Sequence, residues 1–490
     1  MGVGGWIAEQ MAPENLPLPD SLARQLDALT TPKQSQRELI QHYREAAQAA
    51  KESAAASNAS LSAANGKPQT VERDERRALV QSIYLEAGES RLLRAVSSPR
   101  QLEEVLVDFW FNHFNVFEGK GLDRVLVENY EREAIRPNVF GRFRAMLGAT
   151  ARHPAMLFYL DNWLSVAPGF QPRRPGGRPS SGLNENYARE VMELHTLGVD
   201  GGYTQQDVTE LARILTGWTM MPNAGRRRFA IGSGGDSVFA FDPERHDPGT
   251  KNWLGHIVAP AGQAEGEFAL DVLARHPATA KHIATKLVRH FVADDPPPGL
   301  LDRVARRFME TDGDLRSVMH TLVESAEFRD ARPTKFKTPY QFVVSGVRST
   351  GIPITNVRPL LATLRDLGQP LFGCQTPDGY KDTQSDWLNP SAITQRVNFA
   401  TALASGRLPL LRGDDPDSRL AQGVKAMERQ TDRAMQRDDA VAGSTPPVDA
   451  NALLATLGSS ITAKTRAAVD ASGPALRAAL VLGSPDFMQR

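Results

Sequence analysis

The chain has 490 residues, 41% of them hydrophobic, enough to bury a large core in one large domain or in about two or three smaller ones. Lysine plus arginine and aspartate plus glutamate both number 57, so the formal net charge is zero and no global field favours nucleic acid or an anionic membrane. The one cysteine, Cys374, excludes an intramolecular disulfide and any multi-cysteine zinc or iron–sulfur site, and no apolar run approaches the roughly 18–20 residues of a membrane span.

From the N-terminus, residues 1–20 lack the basic-then-apolar pattern of a signal peptide. Periodicity with one apolar face then predicts helices over 21–29, 36–50, 72–87, 99–114, 123–140, 184–197, 204–216, 265–276, 277–292, 300–310, 315–325, 339–350 and 390–404. Strand signals are confined to short runs at 228–231, 238–241 and 256–258. The expected fold is mainly α, a large multi-helical domain with a small β-hairpin excursion around residues 219–258. Low-complexity insertions are expected at 53–66 (Ala/Ser/Asn-rich) and 168–182 (Pro/Gly/Arg-rich), the second being either a lid or a surface loop. A polar linker over 411–450 separates the helical domain, 1–410, from helices over 451–490 that return to the core. That return is suggested by an echo, since residues 315–330 and 476–490 both carry Ser-x-acid-Phe after an apolar run.

Candidate chemistry concentrates in GLNENYAREVMELHTLGVDGGYTQQDVTELARILTGW, residues 182–218. Asn184 caps a first helix, Gly201-Gly202-Tyr203 turns the chain, and Thr204 with Asp207 forms the capping box of a second helix. On the first helix Glu190 and Glu193 share a face with Asn186, whereas His195 lies well around the cylinder from Glu190. The segment therefore lacks the i, i+3 Glu/His pair of a ferritin-like metal site. Paired, partly buried glutamates suit acid–base work, because like charges push their proton affinities apart; the plain alternative is surface ion pairing of Arg189 with Glu185 or Glu193.

His113 sits among aromatics in Phe109-Trp110-Phe111-Asn112-His113-Phe114-Asn115, so it is expected to be buried. It is either bonded to Asn112 or Asp108, or serves as acid, base or metal ligand. His246-Asp247, between Pro243 and Pro248, reads as an exposed irregular loop of the kind that carries binding groups. His282, Lys286 and His290 fall on one helical face, where the lysine points to a solvated stripe, and Arg226-Arg227-Arg228 reads as a solvated run. Trp218, Trp253 and Trp387 are candidate stacking platforms for sugar rings, or else core and loop anchors. No nucleophile elbow, phosphate-binding glycine loop, dinucleotide fingerprint or zinc-protease helix appears in its expected context.

With DFWFNHFNVFEGK (108–120), FDPERHDPGTKNWLG (241–255) and QPLFGCQTPDGYKDTQSDWLNPSAITQRVNFA (369–400), the 182–218 segment resembles a bacterial family, the domain of unknown function 1800, over nearly the whole chain. The resemblance implies export and a frequent gene neighbour of sulfatase-like type; it supplies no reaction and no residue roles. GVGGWIAEQMAP resembles a stretch inside the family domain, so the true start is expected upstream and the protein periplasmic or secreted; a start at Met1 would make it cytoplasmic.

The expected function is an exported enzyme, hydrolase or lyase, that cleaves a polymeric substrate of polysaccharide type. Glu190, Glu193, His113, His246 and Asp247 are the expected catalytic residues. Asn184, Asn186, Tyr187, Arg189, Trp218, Trp253 and Trp387 are the expected substrate contacts, with no metal ligands assigned, the cofactor unknown and no nucleic acid partner. Two other readings stand beside it: a non-catalytic binding or assembly partner of a co-exported protein, and a metal- or haem-dependent redox protein using His113 or His246.

Overall fold

The computed structural model describes residues 2–61, 71–171, 182–220, 230–231, 237–330, 334–412, 442–443 and 445–490. Its first half contains α1 (Val3–Gln10), α2 (Asp20–Asp27), α3 (Gln36–Leu61), α4 (Val71–Ser97), α5 (Gln101–His113), α6 (Asp123–Tyr130), α7 (Phe143–Arg152), α8 (Pro154–Tyr159), α9 (Glu185–Glu190) and α10 (Gln205–Ile214). Strands β1 (Trp218–Met220), β2 (Ala230–Ile231), β3 (Phe239–Phe241), β4 (Lys251–Trp253) and β5 (His256–Val258) follow. Then come α11 (Gln263–Ala274), α12 (Pro277–Phe291), α13 (Pro298–Glu310), α14 (Leu315–Val323), α15 (Ala326–Arg329), α16 (Pro339–Thr350), α17 (Arg358–Asp366), α18 (Gln384–Trp387) and α19 (Pro390–Ala404). The chain closes with β6 (Leu411–Arg412), β7 (Ala442–Gly443), α20 (Ala450–Leu457), α21 (Ala463–Asp470), α22 (Pro474–Leu482) and α23 (Pro485–Met488). No described helix is long and apolar enough to cross a membrane.

The fold is mainly α, as the periodicity predicts, and the β excursion is where the sequence puts it. β3 pairs antiparallel with both β1 and β2, while β4 and β5 form a separate hairpin with Trp253 opposite His256. Leu254 and Gly255 turn that hairpin at φ 46° and 76°, the left-handed pair that matches strand twist. Of the low-complexity segments, residues 53–61 continue α3; residues 62–66, 172–181 and 413–441 lie outside the described residues, as does the Arg226–Arg228 run.

α5 is the central helix because its apolar positions run nearly all round it: Leu106, Val107, Phe109, Trp110 and Phe111 are all buried. Of its inward charges, Asp108 is met by Arg91 of α4 at 2.7 Å, and Arg91 also ion-pairs with buried Glu131. Arg136 closes the network onto Glu104 (2.8 Å) and Glu131 (2.9 Å), so a buried guanidinium is matched rather than left to cost several kcal/mol. The Arg91 guanidinium also lies over the rings of Phe111, Tyr340 and Phe372 at 5.5–5.7 Å, which draws the start of α16 and the loop after α17 onto α5.

The helix begun by α9 does not continue as α. Over Val191–Thr196 it widens to a π-helical turn, and Thr196 Oγ1 donates to the Val191 carbonyl at 2.6 Å. It stops at Gly198, whose φ of +84° and whose missing Cβ, 3.0 Å from His282 Nδ1 if present, both require glycine. Gly198→Ala is therefore expected to lower stability by about 1–2 kcal/mol in a denaturant titration, with His282 displaced.

At the far end α22 packs on α19, and Phe336 bridges antiparallel to Gln489. Reciprocal backbone bonds between Lys335 and Arg490 (3.1 and 2.8 Å) bring the Arg490 side chain to 3.6 Å from Asp382.

Candidate active site

A cavity of about 420 Å³ lies between α5, α12 and the segment 369–386, within the range of small-ligand sites. Asp108, Asn112 and His113 line it from α5; His282, Lys286, Arg289 and His290 line it from α12. The remaining wall includes Asp378, Tyr380, Lys381 and Asp382. The expectation that His282, Lys286 and His290 form a solvated stripe is thus overturned. α12 packs on α13 along one side and meets the π-helical turn on another, so the stripe becomes a cavity wall.

The π-helical turn orders two of these histidines. His282 Nε2 donates to the Leu194 carbonyl and His113 Nε2 to the His195 carbonyl, both at 3.1 Å. A carbonyl only accepts, so each ring must carry its proton on Nε2, which leaves Nδ1 as a bare lone pair. His113 Nδ1 and His195 Nε2 are buried without a partner. Burial, then the nearby Lys286 charge, pushes all three imidazoles down: His113 well below its ordinary value, His195 to about 3 and His282 to about 4. His113 is buried as predicted, but it is bonded to His195 rather than to Asn112 or Asp108; the Asn112 amide instead clamps the Tyr380 backbone at 2.7 and 2.8 Å.

Lys286 is the group the sequence reading missed. Half-buried in the cavity wall, it has no hydrogen-bonding or ion-pairing partner among the described residues. Burial pushes its amine down to about 8, against the opposing pull of Asp378. Asp378 is held by Lys381 at 2.6 Å, and Asp382 accepts from His290 Nδ1 at 2.8 Å with Lys335 at 3.7 Å. The legible hint was helical phase: His290 lies three and seven residues beyond Leu287 and Ile283, both fully buried, and so belongs to an inward arc.

The predicted residues divide sharply. Glu190 and Glu193 are half-buried beside the cavity and do not line it. The Glu190 carboxyl is raised by burial and then by Glu193 and Asp378, while Glu193 accepts from the Tyr203 hydroxyl at 3.1 Å. Asn184 spends its amide on capping Asn186 N (2.9 Å) and on the Leu160 carbonyl (2.8 Å); Tyr187 is buried, Asn186 exposed, and Arg189 bonded to Gln205 at 2.8 Å.

Two expectations need correction. His246 and Asp247 are not an exposed loop: His246 bonds the Thr216 carbonyl and Glu265 at 2.9 Å each, Glu265 meets Lys251 at 2.6 Å, and Asp247 meets Arg213 at 2.8 Å. β4 and the first turn of α11 close over them, and both ring nitrogens are spent. Trp218 and Trp253 are 0% exposed and present no face to a ligand. Trp387 alone keeps a platform position, half-buried with its ring 6.2 Å from that of cavity-lining Tyr380 and Nε1 bonded to the Lys381 carbonyl at 2.8 Å. Trp387→Ala is expected to change melting little, whereas Trp218→Ala should cost about 3–5 kcal/mol of stability. Calorimetric melting of both variants checks the contrast.

Among the described residues no group of three or more His, Cys, Asp or Glu side chains is arranged to hold a metal ion. The family model described as "Protein of unknown function (DUF1800)" matches residues 1–489. The chain belongs to the DUF1800 family. No curated protein and no solved structure matches it. In this DUF1800 chain the 108–120 and 369–400 segments converge on the cavity, while the 241–255 segment contributes nothing to its lining.

Proposed function

We propose that this chain is an enzyme that cleaves a polymeric substrate of polysaccharide type by proton transfer at Lys286. The observation that carries the reading is an unpaired lysine in a cavity wall that it shares with the neutral histidines His113 and His282, held near a neutral-pH proton affinity. An amine in that state is a competent base at neutral pH, and its protonated form is an equally competent acid. The cavity has room for about one or two sugar rings, and Tyr380 with Trp387 offers an aromatic border to them.

Glu190 and Glu193 are placed by this reading at the rim, where they help fix the charge around Asp378, rather than at the bond that breaks. With it we propose an exported location, where polymeric glycans are met. Incubation of the purified protein with a panel of neutral and acidic polysaccharides, followed by chain-length analysis, tests the reading. Shortening of at least one polymer by the wild type and not by Lys286→Met is expected; equal shortening by both, or none by either, would remove the proposal.

A further inference from the structure

Every acidic group lining the cavity is already engaged. Asp108 is taken by Arg91, Asp378 by Lys381, Asp382 by His290, and Asp386 by the Thr383 hydroxyl, which donates to it. Two of the basic groups are not. Lys286 has no partner, and Arg289, one turn along α12, spends only its Nε, on the Asp294 carbonyl at 3.1 Å. Among the described residues neither has a carboxylate within ion-pairing reach. Asp386 keeps its charge at the exposed edge of the cavity, but on the α12 face a ligand meets spare positive charge with no carboxylate paired to it, and a guanidinium edge suits a planar, two-oxygen anion.

We infer that the polymer is a polyuronate, its sugar carboxylate seated on Arg289 beside Lys286, and that it is cleaved by β-elimination. The inference rests on the acid–base reading of the same cavity. Pairing with Arg289 withdraws charge from the carboxylate and acidifies the adjacent C5–H. Lys286 Nζ takes that proton. The C–H electron pair becomes the C4–C5 double bond, the C4–O bond breaks with its pair on oxygen, and the Lys286 ammonium returns the proton to the departing oxygen. One amine thus serves as base and acid, and no oxidant, water or second reactant enters the balance. A phosphate or sulfate ester would satisfy the cations but would leave Lys286 no acidic C–H to act on.

The test uses the whole chain with galacturonate, glucuronate and mannuronate polymers, and with the same polymers after reduction of their carboxyl groups. Binding is read by calorimetry, and products by the ultraviolet absorbance of the unsaturated end. The expected result is cleavage of at least one polyuronate to unsaturated ends, absent for its reduced form, abolished by Lys286→Met, and with KM raised roughly ten-fold or more by Arg289→Gln at unchanged melting. Saturated ends, or cleavage of reduced polymers only, would overturn the elimination while leaving an acid–base enzyme standing. Failure of every polyuronate to bind better than its reduced form would overturn the ligand class. Binding of polyuronates with no glycan cleaved at all would bring down the enzymatic reading and the elimination together.

Discussion

Lys286→Met is expected to lower turnover by about two to four orders of magnitude, the usual worth of a positioned acid–base group, while making the protein more stable. The two effects have one cause. An ammonium in the cavity wall sits where burial pushes its proton affinity down to about 8, so at neutral pH the folded state holds a charge its surroundings disfavour. Because the folded value is depressed, the unfolded chain binds more protons between pH 8 and the ordinary lysine value of 10.5. Wild-type stability should therefore rise with pH across that window. Methionine removes the strain, and a gain of about 1–2 kcal/mol is expected below pH 8 after allowance for partial exposure, shrinking towards pH 10.5. Wild-type activity should climb with pH and level off above about 8, as the free amine becomes the dominant form. A variant that loses activity and stability together, or a rate flat from pH 6 to about 9, would contradict the assignment.

Glu265→Gln is expected to cost about 3–5 kcal/mol of folding stability in a denaturant titration. Lys251 and Glu265 are both 0% exposed, and Lys251 has otherwise only the Asp247 carbonyl, so a neutral amide would leave an ammonium buried without a counter-charge. Glu265 also takes the backbone N–H groups of Ala261 and Gly262 at 2.8 and 3.0 Å, which start α11, and it fixes His246. Replacing both members, Lys251→Met with Glu265→Leu, should recover part of the loss, because no charge is then stranded. The fraction that remains folded should keep full activity per molecule. A Glu265→Gln protein that melts normally and turns over nothing would instead make the 246–265 region catalytic.

Much of the fold was legible because it rests on local rules. The capping box at Thr204 and Asp207, the Asn184 cap, the apolar periods of α10 and α12 and the clustered strand signals are all properties of a few adjacent residues. The site was only half legible. His113 could be placed in the core from its aromatic neighbours, and the 108–120 and 369–400 segments do meet at the cavity. What the sequence could not show is which polar side chains spend themselves on one another. His246 looked available until Glu265, 19 residues on, claimed it, and Lys286 looked like a surface residue until α5 and the 369–386 segment roofed its face. Pairing across long separations decides whether a charged group is structural or spare, and no local period encodes it.

The widened turn at Val191–Thr196 has an evolutionary reading. A π turn is an α-helix carrying one surplus residue, so it works as a point insertion that the helix absorbs without breaking. Losing any one of those six residues would restore ordinary winding and turn the residues of this stretch itself by about 100° relative to their neighbours, the helix beyond it staying in place. The carbonyls of Leu194 and His195 would then turn away from His282 and His113, and both imidazoles would lose the acceptors that fix their protons. A chain with that single deletion is expected to keep the helix and lose both histidine hydrogen bonds, a change that the imidazole tautomers read by NMR would report.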